Sequence, residues 1–251
     1  MAEFDGIRAK LYHEALTDFP KARKGDLELM RQYLSPKPGE VIIEIGAGNG
    51  LFSGTIADAT LPDGKLIVVD PSREQLAGVT ELNRKNIEIV NQGGDEANLE
   101  AATADGIWSF GAVHHIFHKT KLFQNFFHWL RPGGRLLIAD VFAGSILAKH
   151  FDDRVAKHCA TGHEVAFLSR EYTESLCFLS GLEKPEFHDF NADWVFDKKE
   201  DVGIFLYKLH AMTKSNPKEC LRGAVDILGI KEQNGKHYLN WPMTLIVTTK
   251  K

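Results

Sequence analysis

The chain has 251 residues, 43% of them hydrophobic and 25% charged, the balance of a soluble globular protein long enough to bury a core without covalent staples. A formal net charge of -4 sets up no attractive field for a nucleic-acid backbone, so no nucleic-acid substrate is expected. Cys159, Cys177 and Cys220 show no metal-finger spacing and cannot all pair internally. With an acidic, non-secretory start and no apolar stretch near the roughly 18 residues of a membrane span, this predicts a cytoplasmic protein with no membrane partner.

Residues 1–37, rich in Lys, Arg, Glu and Leu, read as a helical cap that ends at Ser35-Pro36-Lys37-Pro38-Gly39, because proline cannot continue a helix. Strands and helices then alternate over 38–142. Val41 to Ile45 is a buried strand and Phe52 to Ala59 a helix. Leu66 to Val69 is a strand, and Ser72 caps a helix running to about Leu82. Ile87 to Val90 and Gly106 to Phe110 are strands, and Lys119 to Leu130 is a helix. Arg131-Pro132-Gly133-Gly134 breaks the chain before a fifth strand from Arg135 to Val141. This alternation predicts an α/β fold whose sheet is mostly parallel with helices on both faces.

The second half changes character. Residues 143–168 form a lid segment with a polar helix from His150 to Gly162, and Ser169 starts a helix that ends at Gly181. Strand signals return from Pro185 to Phe196. Residues 197–232 read as a helical insertion of two capped helices, Asp197 with Glu200 and Asn216 with Glu219, the second carrying Pro217 at its first position. Leu239 to Thr249 is the last strand. The aromatics Trp194, Phe196, Phe205, Tyr207 and Trp241 are dense enough to be mostly core. No part of this half reads as an independent domain, so 1–251 is taken as one domain.

The chemistry begins at Glu44-Ile45-Gly46-Ala47-Gly48-Asn49-Gly50, a glycine run between a strand and a helix. Glycines there let the backbone turn sharply and let a ligand approach without a Cβ in the way. The Gly46-x-Gly48-x-Gly50 spacing is tighter than the G-x-G-x-x-G of dinucleotide sites. Glu44 would repel a pyrophosphate, yet it suits a ligand carrying an ammonium group, such as S-adenosyl-L-methionine. Asp70 ends the second strand, where an acid accepts both ribose hydroxyls. Asp95, in Gly94-Asp95-Glu96 beyond the third strand, suits an adenine amino group.

These three elements, followed by Arg131-Pro132-Gly133-Gly134-Arg135, resemble the class I S-adenosylmethionine-dependent methyltransferase family over roughly residues 38 to 142. The resemblance implies a Rossmann-like, seven-stranded sheet with the cap before it and the insertion before its last strand. It implies that Gly46, Ala47, Gly48 and Gly50 line the methionine part of the cofactor. Asp70 and Pro71 would lie at the ribose, Asp95 and Glu96 at the adenine edge, and Ser109 and Phe110 on the cofactor's other side. Tyr12, on the cap, matches aromatics that close over the cofactor in similar enzymes.

The acceptor side follows strand four in Gly111-Ala112-Val113-His114-His115-Ile116-Phe117-His118. A His-His pair there also occurs in small-molecule methyltransferases that resemble this chain, and a histidine can take a proton from the attacking nucleophile. His114 and His115 are therefore candidate bases. His163, in His158-Cys159-Ala160-Thr161-Gly162-His163, is a third candidate on a polar lid rather than a metal site. No Asn-Pro-Pro-Tyr or Asp-Pro-Pro-Tyr run and no cysteine follows strand four, which argues against adenine or glutamine amino methylation and a cysteine-nucleophile RNA mechanism. No cysteine precedes the glycine turn, which argues against arsenite. The expected reaction is methyl transfer to a small organic acceptor. The alternatives are a carboxyl methyltransferase acting on a carrier-protein-bound acid and an RNA- or protein-modifying methyltransferase.

Overall fold

β-Branched and leucine-rich runs become strands where the chain buries them on both sides. The computed structural model describes residues 4–251. Its strands are, in chain order, β1 Val41–Ile45, β2 Lys65–Val69, β3 Ile87–Val90, β4 Ala104–Phe110, β5 Leu130–Asp140, β6 Glu186–Asn191, β7 Trp194–Phe196, β8 Ile230–Gln233, β9 Lys236–Leu239 and β10 Pro242–Thr249. The chain packs as two compact units. One comprises Met30–Asp140, Val165–Asp189 and Thr244–Lys251. The other comprises the segment ending at Leu29, Val141–Glu164 and Phe190–Met243.

The first unit is built on a seven-stranded sheet in the order β3-β2-β1-β4-β5-β10-β6. β2, β1, β4 and β5 pair in parallel, with Ile45 opposite Val69 on one side and Ser109 on the other, and β10 runs antiparallel to β5. Parallel neighbours need crossovers, supplied here by the helices Ser53–Thr60, Arg73–Glu81 and Lys119–Trp129. Two helix starts come from local chemistry: Ser72 and Ser169 accept from the backbone N–H groups of Gln75 and Tyr172. Gly181 ends the Ser169 helix in the left-handed conformation that glycine adopts without strain. Phe123, Phe126 and Trp129 bury one face of the Lys119–Trp129 helix, each contributing roughly 1.5–3 kcal/mol. Strand order reverses direction between β1 and β4, so the loops after these two strands open at the switch point where such sheets bind ligands.

Arg131-Pro132-Gly133-Gly134 does not break the chain as its composition suggests; β5 runs through it from Leu130. Gly133 takes φ +80° and donates to the Lys250 carbonyl, while Gly134 accepts from the Lys250 N–H. A register shift against β4 between Ala104 and Gly106 absorbs the proline.

In the second unit a small antiparallel sheet, β7-β9-β8, accompanies the helices Ile7–Asp18, Lys199–Leu209 and Pro217–Ile227. Its hairpin was not expected. Asn234 and Gly235 both have positive φ, and the Asn-Gly turn they form is the available signal, masked by the charged, non-alternating strands beside it. Asn216 caps its helix as predicted, but Asp197 does not. Lys198 is the cap residue, and the Asp197 carboxylate instead pairs with Lys236 of β9. The helical turns Ile146–His150 and Ala156–His158 flank a π-helical turn, Phe151–Val155. Among the described residues no helix is long and apolar enough to cross a membrane.

Candidate functional site

The glycine turn after β1 is made by backbone angles that side chains resist. Gly46, Gly48 and Gly50 have φ of +68°, +55° and +88°. At Gly46 there is a second constraint: a Cβ would stand 2.2 Å from the Ala112 Cβ in the loop after β4, so the two switch-point loops approach through a missing side chain. Ala47 is buried within the turn, and Gly50 donates to its carbonyl.

Two carboxylates organise this turn. Asp70, at the end of β2, accepts from the Gly48 N–H at 2.9 Å with one oxygen and from the Ser72 N–H at 2.8 Å with the other. A carboxylate offers about four lone-pair positions. Two backbone donors, one on each oxygen, thus fix its plane. Pro71, exposed beside it, presents its carbonyl to Asn91. Glu44 is 1% exposed and takes a 2.6 Å hydrogen bond from the Ser53 hydroxyl. Its other oxygen is buried with no hydrogen-bond partner. Burial pushes Glu44 up to about 8; the Ser53 bond opposes this and the neighbouring Asp70 charge adds to it.

Beyond β3, Asn125 holds the Gly94 and Asp95 carbonyls, and the two acids Asp95 and Glu96 line an open groove of about 510 Å³ with Phe117, His118, Lys121 and Tyr172. Ser109 and Phe110 end β4. The Ser109 hydroxyl donates to the Ile45 carbonyl and ties β4 to β1, whereas Phe110 packs against Phe52 and Trp108 at centroid distances of 5.2 and 6.1 Å.

The histidines after β4 do not share one environment. His118 is exposed on the groove. His114 is 2% exposed in a short 3-10 turn, with its ring 4.2 Å from that of half-buried His115. One carboxylate, Asp140 at the end of β5, takes both the His114 backbone N–H at 3.1 Å and its ring Nδ1 at 2.5 Å. Buried Lys119 donates to the Ile116 carbonyl. Burial holds its ammonium below the ordinary lysine range, and Asp140 and then Asp95 oppose that shift. Asp140, Lys119 and Ser53 were not singled out from the sequence. An acid closing the apolar run Leu136–Ala139 was the signal for Asp140; the other two are ordinary helix residues until folded.

Tyr12 and His163 belong to the other compact unit. Tyr12 accepts from Arg23 at 3.2 Å, and Arg23 in turn pairs with fully buried Asp26. His163 is 8% exposed and stacks on Phe151 at 4.8 Å. Around Phe151 and Trp241 lie two further buried imidazoles, His150 and His210. Burial first, then Arg154, pushes His150 down to about 4. Burial, then His150, His163, Arg8 and Arg23 in that order, hold His210 well below the usual range.

Residues 42–134 match a family model described as a methyltransferase domain. The chain is 30% identical over 138 residues to protein-L-isoaspartate O-methyltransferase of Aeropyrum pernix, covering 50% of each. It is 26% identical over 190 residues to arsenite methyltransferase of Halobacterium salinarum, covering 70% of this chain and 46% of that one. The chain spans about half the length of the curated relatives it matches. Among solved structures, Haemonchus contortus phosphoethanolamine N-methyltransferase 2 in complex with S-adenosyl-L-methionine superimposes with a TM-score of 0.68 at 17% identity, covering 99% of this chain and 58% of that one.

Proposed function

Because residues 42–134 belong to the class I S-adenosylmethionine-dependent methyltransferases, we propose that the chain is an enzyme that transfers a methyl group from S-adenosyl-L-methionine to a small organic acceptor. The observation that carries this reading is the turn itself. It consists of three glycines at positive φ, one of them with no room for a Cβ, with Asp70 clamped by the Gly48 and Ser72 N–H groups beside a buried Glu44. The fit is chemical as well as steric. A buried carboxyl with an unpartnered oxygen calls for a cation or donor, and the cofactor offers an ammonium and a sulfonium.

In this reading Glu44, Gly46, Ala47, Gly48 and Gly50 hold the amino-acid end. Asp70 and Pro71 hold the ribose side and Asp95 and Glu96 the base edge. Ser109 and Phe110 hold the cofactor's other side, and Tyr12 is proposed as a cofactor residue from the resemblance alone. When bound, the cofactor supplies an already activated methyl group, so the chain's main task is to align an acceptor in line with it. His114 and His115 are the residues proposed to meet the acceptor, and His163 is proposed as the alternative base. Similarity to arsenite and phosphoethanolamine methyltransferases, both acting on small molecules, supports that acceptor class. The net charge of -4 argues against nucleic acid, and the enzyme is proposed to act in the cytoplasm. A carboxyl acceptor is the second reading, favoured by the 30% identity to the isoaspartate enzyme.

Calorimetry on the purified chain tests the cofactor reading. S-adenosyl-L-methionine or S-adenosylhomocysteine should bind, and a nicotinamide dinucleotide should not. Tight dinucleotide binding with neither of the other two would overturn it.

A further inference from the structure

Two histidines of the second unit, His150 and His210, hold buried polar atoms that the fold does not satisfy. His150 is 1% exposed, and both its ring nitrogens are buried without a hydrogen-bond partner; His210 is 9% exposed and leaves Nε2 in the same condition. A neutral imidazole carries one donor and one acceptor. His150 therefore leaves both unmade whichever nitrogen holds the proton, and buried polar groups in that state are rare enough to need a reason. The two rings lie against the same pair of aromatics. Trp241 stacks on Trp194 at 3.8 Å and on His210 at 5.9 Å, with interplanar angles of 20° and 15°. Phe151 stands edge-on to His210 at 5.2 Å and to His150 at 6.3 Å, and Trp241 stands edge-on to His150 at 6.1 Å. His150 closes the helical turn Ile146–His150, and Phe151 opens the π-helical turn behind it, a conformation that concentrates at functional sites.

The charged groups that act on these rings are all basic: Arg154 on His150, and His150, His163, Arg8 and Arg23 on His210. Asp26 is the one buried carboxylate of this unit among the described residues. It is committed to Arg23 with one oxygen and to the Trp194 indole with the other. A cationic ligand would meet only like charge, and among the described residues no third metal-ligating side chain completes a cluster with these two. An oxyanion takes the ring N–H groups and is drawn by the surrounding field. We propose that His150 and His210 form a buried binding site for a compact oxyanion, a carboxylate or a phosphate group. The aromatic rings are packed on one another, so the ligand meets imidazole edges rather than a slot between faces, which keeps it small. An oxyanion accepts only, so it draws both rings toward the imidazolium form. Burial and Arg154 hold His150 down at about 4, and a bound anion opposes both. Binding therefore takes up protons and tightens as pH falls from 7 toward 5.

The test is nuclear magnetic resonance of the full chain with heavy-nitrogen-labelled histidine, each ring assigned by through-bond correlation to its own backbone. Acetate and, separately, inorganic phosphate are added at pH 6.5 against chloride at matched ionic strength. The expected result is a saturable shift of both rings toward the imidazolium pattern, with the His150 titration midpoint raised by about one pH unit or more. Calorimetry should show proton uptake and an affinity that strengthens by up to about tenfold per pH unit for each proton taken up. His150→Gln and His210→Gln should each weaken it about tenfold or more. Rings that respond no more than to chloride overturn the site, and so does anion binding that both Gln variants keep; the wild-type rings decide even where a variant fails to fold. Labelled methyl transfer, the one arm that rests on the methyltransferase reading, then separates the sources of the anion, using acceptor pairs alike but for a carboxylate. A preference for the acid-bearing member that acetate competes away makes the anion part of the acceptor. Equal rates with acetate binding intact make it a free anion, and either result keeps the site. Failure of the methyltransferase reading looks different: S-adenosyl-L-methionine then does not bind, while the two rings still respond to acetate.

Discussion

Replacing Glu44 with Gln should turn a pH-dependent stability into a nearly flat one. Burial raises the Glu44 carboxyl from the ordinary 4.5 to about 8, so between these values the folded chain keeps a proton that the unfolded chain has released. Stability attached to this group is therefore highest below pH 4.5 and is lost as pH rises toward 8, the reverse of a salt-bridged acid. Across pH 5 to 8.5 the loss is roughly 4 kcal/mol. Gln is neutral throughout and can still accept from Ser53. It does bring an amide N–H₂ to the unpartnered oxygen's place, a constant cost of about 1–3 kcal/mol. That cost is the same at every pH, so the change of the difference with pH comes from the Glu44 carboxyl alone. Thermal unfolding of the cofactor-free proteins should show the Gln variant gaining on the wild type by roughly 8–16 °C from pH 5 to 8.5, at 2–4 °C per kcal/mol for a chain of this size. Cofactor affinity should fall in the same variant, since Gln, unlike Glu44, cannot release a proton and face the ammonium as a carboxylate. A melting-temperature difference that stays level across this range would refute the argument that Glu44 is buried without a compensating cation.

Asp70→Ala should weaken S-adenosyl-L-methionine binding at least about 100-fold by calorimetry, from two charge-assisted hydrogen bonds of roughly 1.5–3 kcal/mol each; unchanged affinity in a folded variant would remove Asp70 from the ribose. Gly46→Ala should lower the melting temperature and abolish binding, because its Cβ meets Ala112 at 2.2 Å and φ is +68°. Adding Ala112→Gly should relieve the clash but not the backbone strain, and full recovery would show that φ does not matter there. His150 has the opposite pH signature to Glu44. Its folded value of about 4 lies below the ordinary 6.5, so its stability is present above 6.5 and lost as pH falls toward 4, by roughly 3 kcal/mol. His150→Leu should shift acid unfolding, followed by circular dichroism, to lower pH, and an unmoved transition would show that His150 is already charged when folded.

What the sequence determined by itself was whatever rests on neighbours a few residues apart. The β-branched run before the glycines, the caps at Ser72, Ser169 and Asn216, the Gly181 stop and the order of strands through β4 are all local chemistry, and they carry the cofactor motif with them. The places where local signals misled are those where a distant partner won. Lys236 draws Asp197 away from its cap, and Lys250 supplies the hydrogen bonds that let β5 continue past Pro132. Only the tertiary structure decided how each histidine is placed. His114, His115 and His118 are three similar letters within five residues, yet one is buried against a carboxylate, one is half-buried and one lies on an open groove. Asp140 reaches His114 because β4 and β5 are neighbours in register, and Glu44 acquires its proton because β1 is central in the sheet. Burial and long-range pairing set these properties, and neither is a property of the residues next to them in the chain.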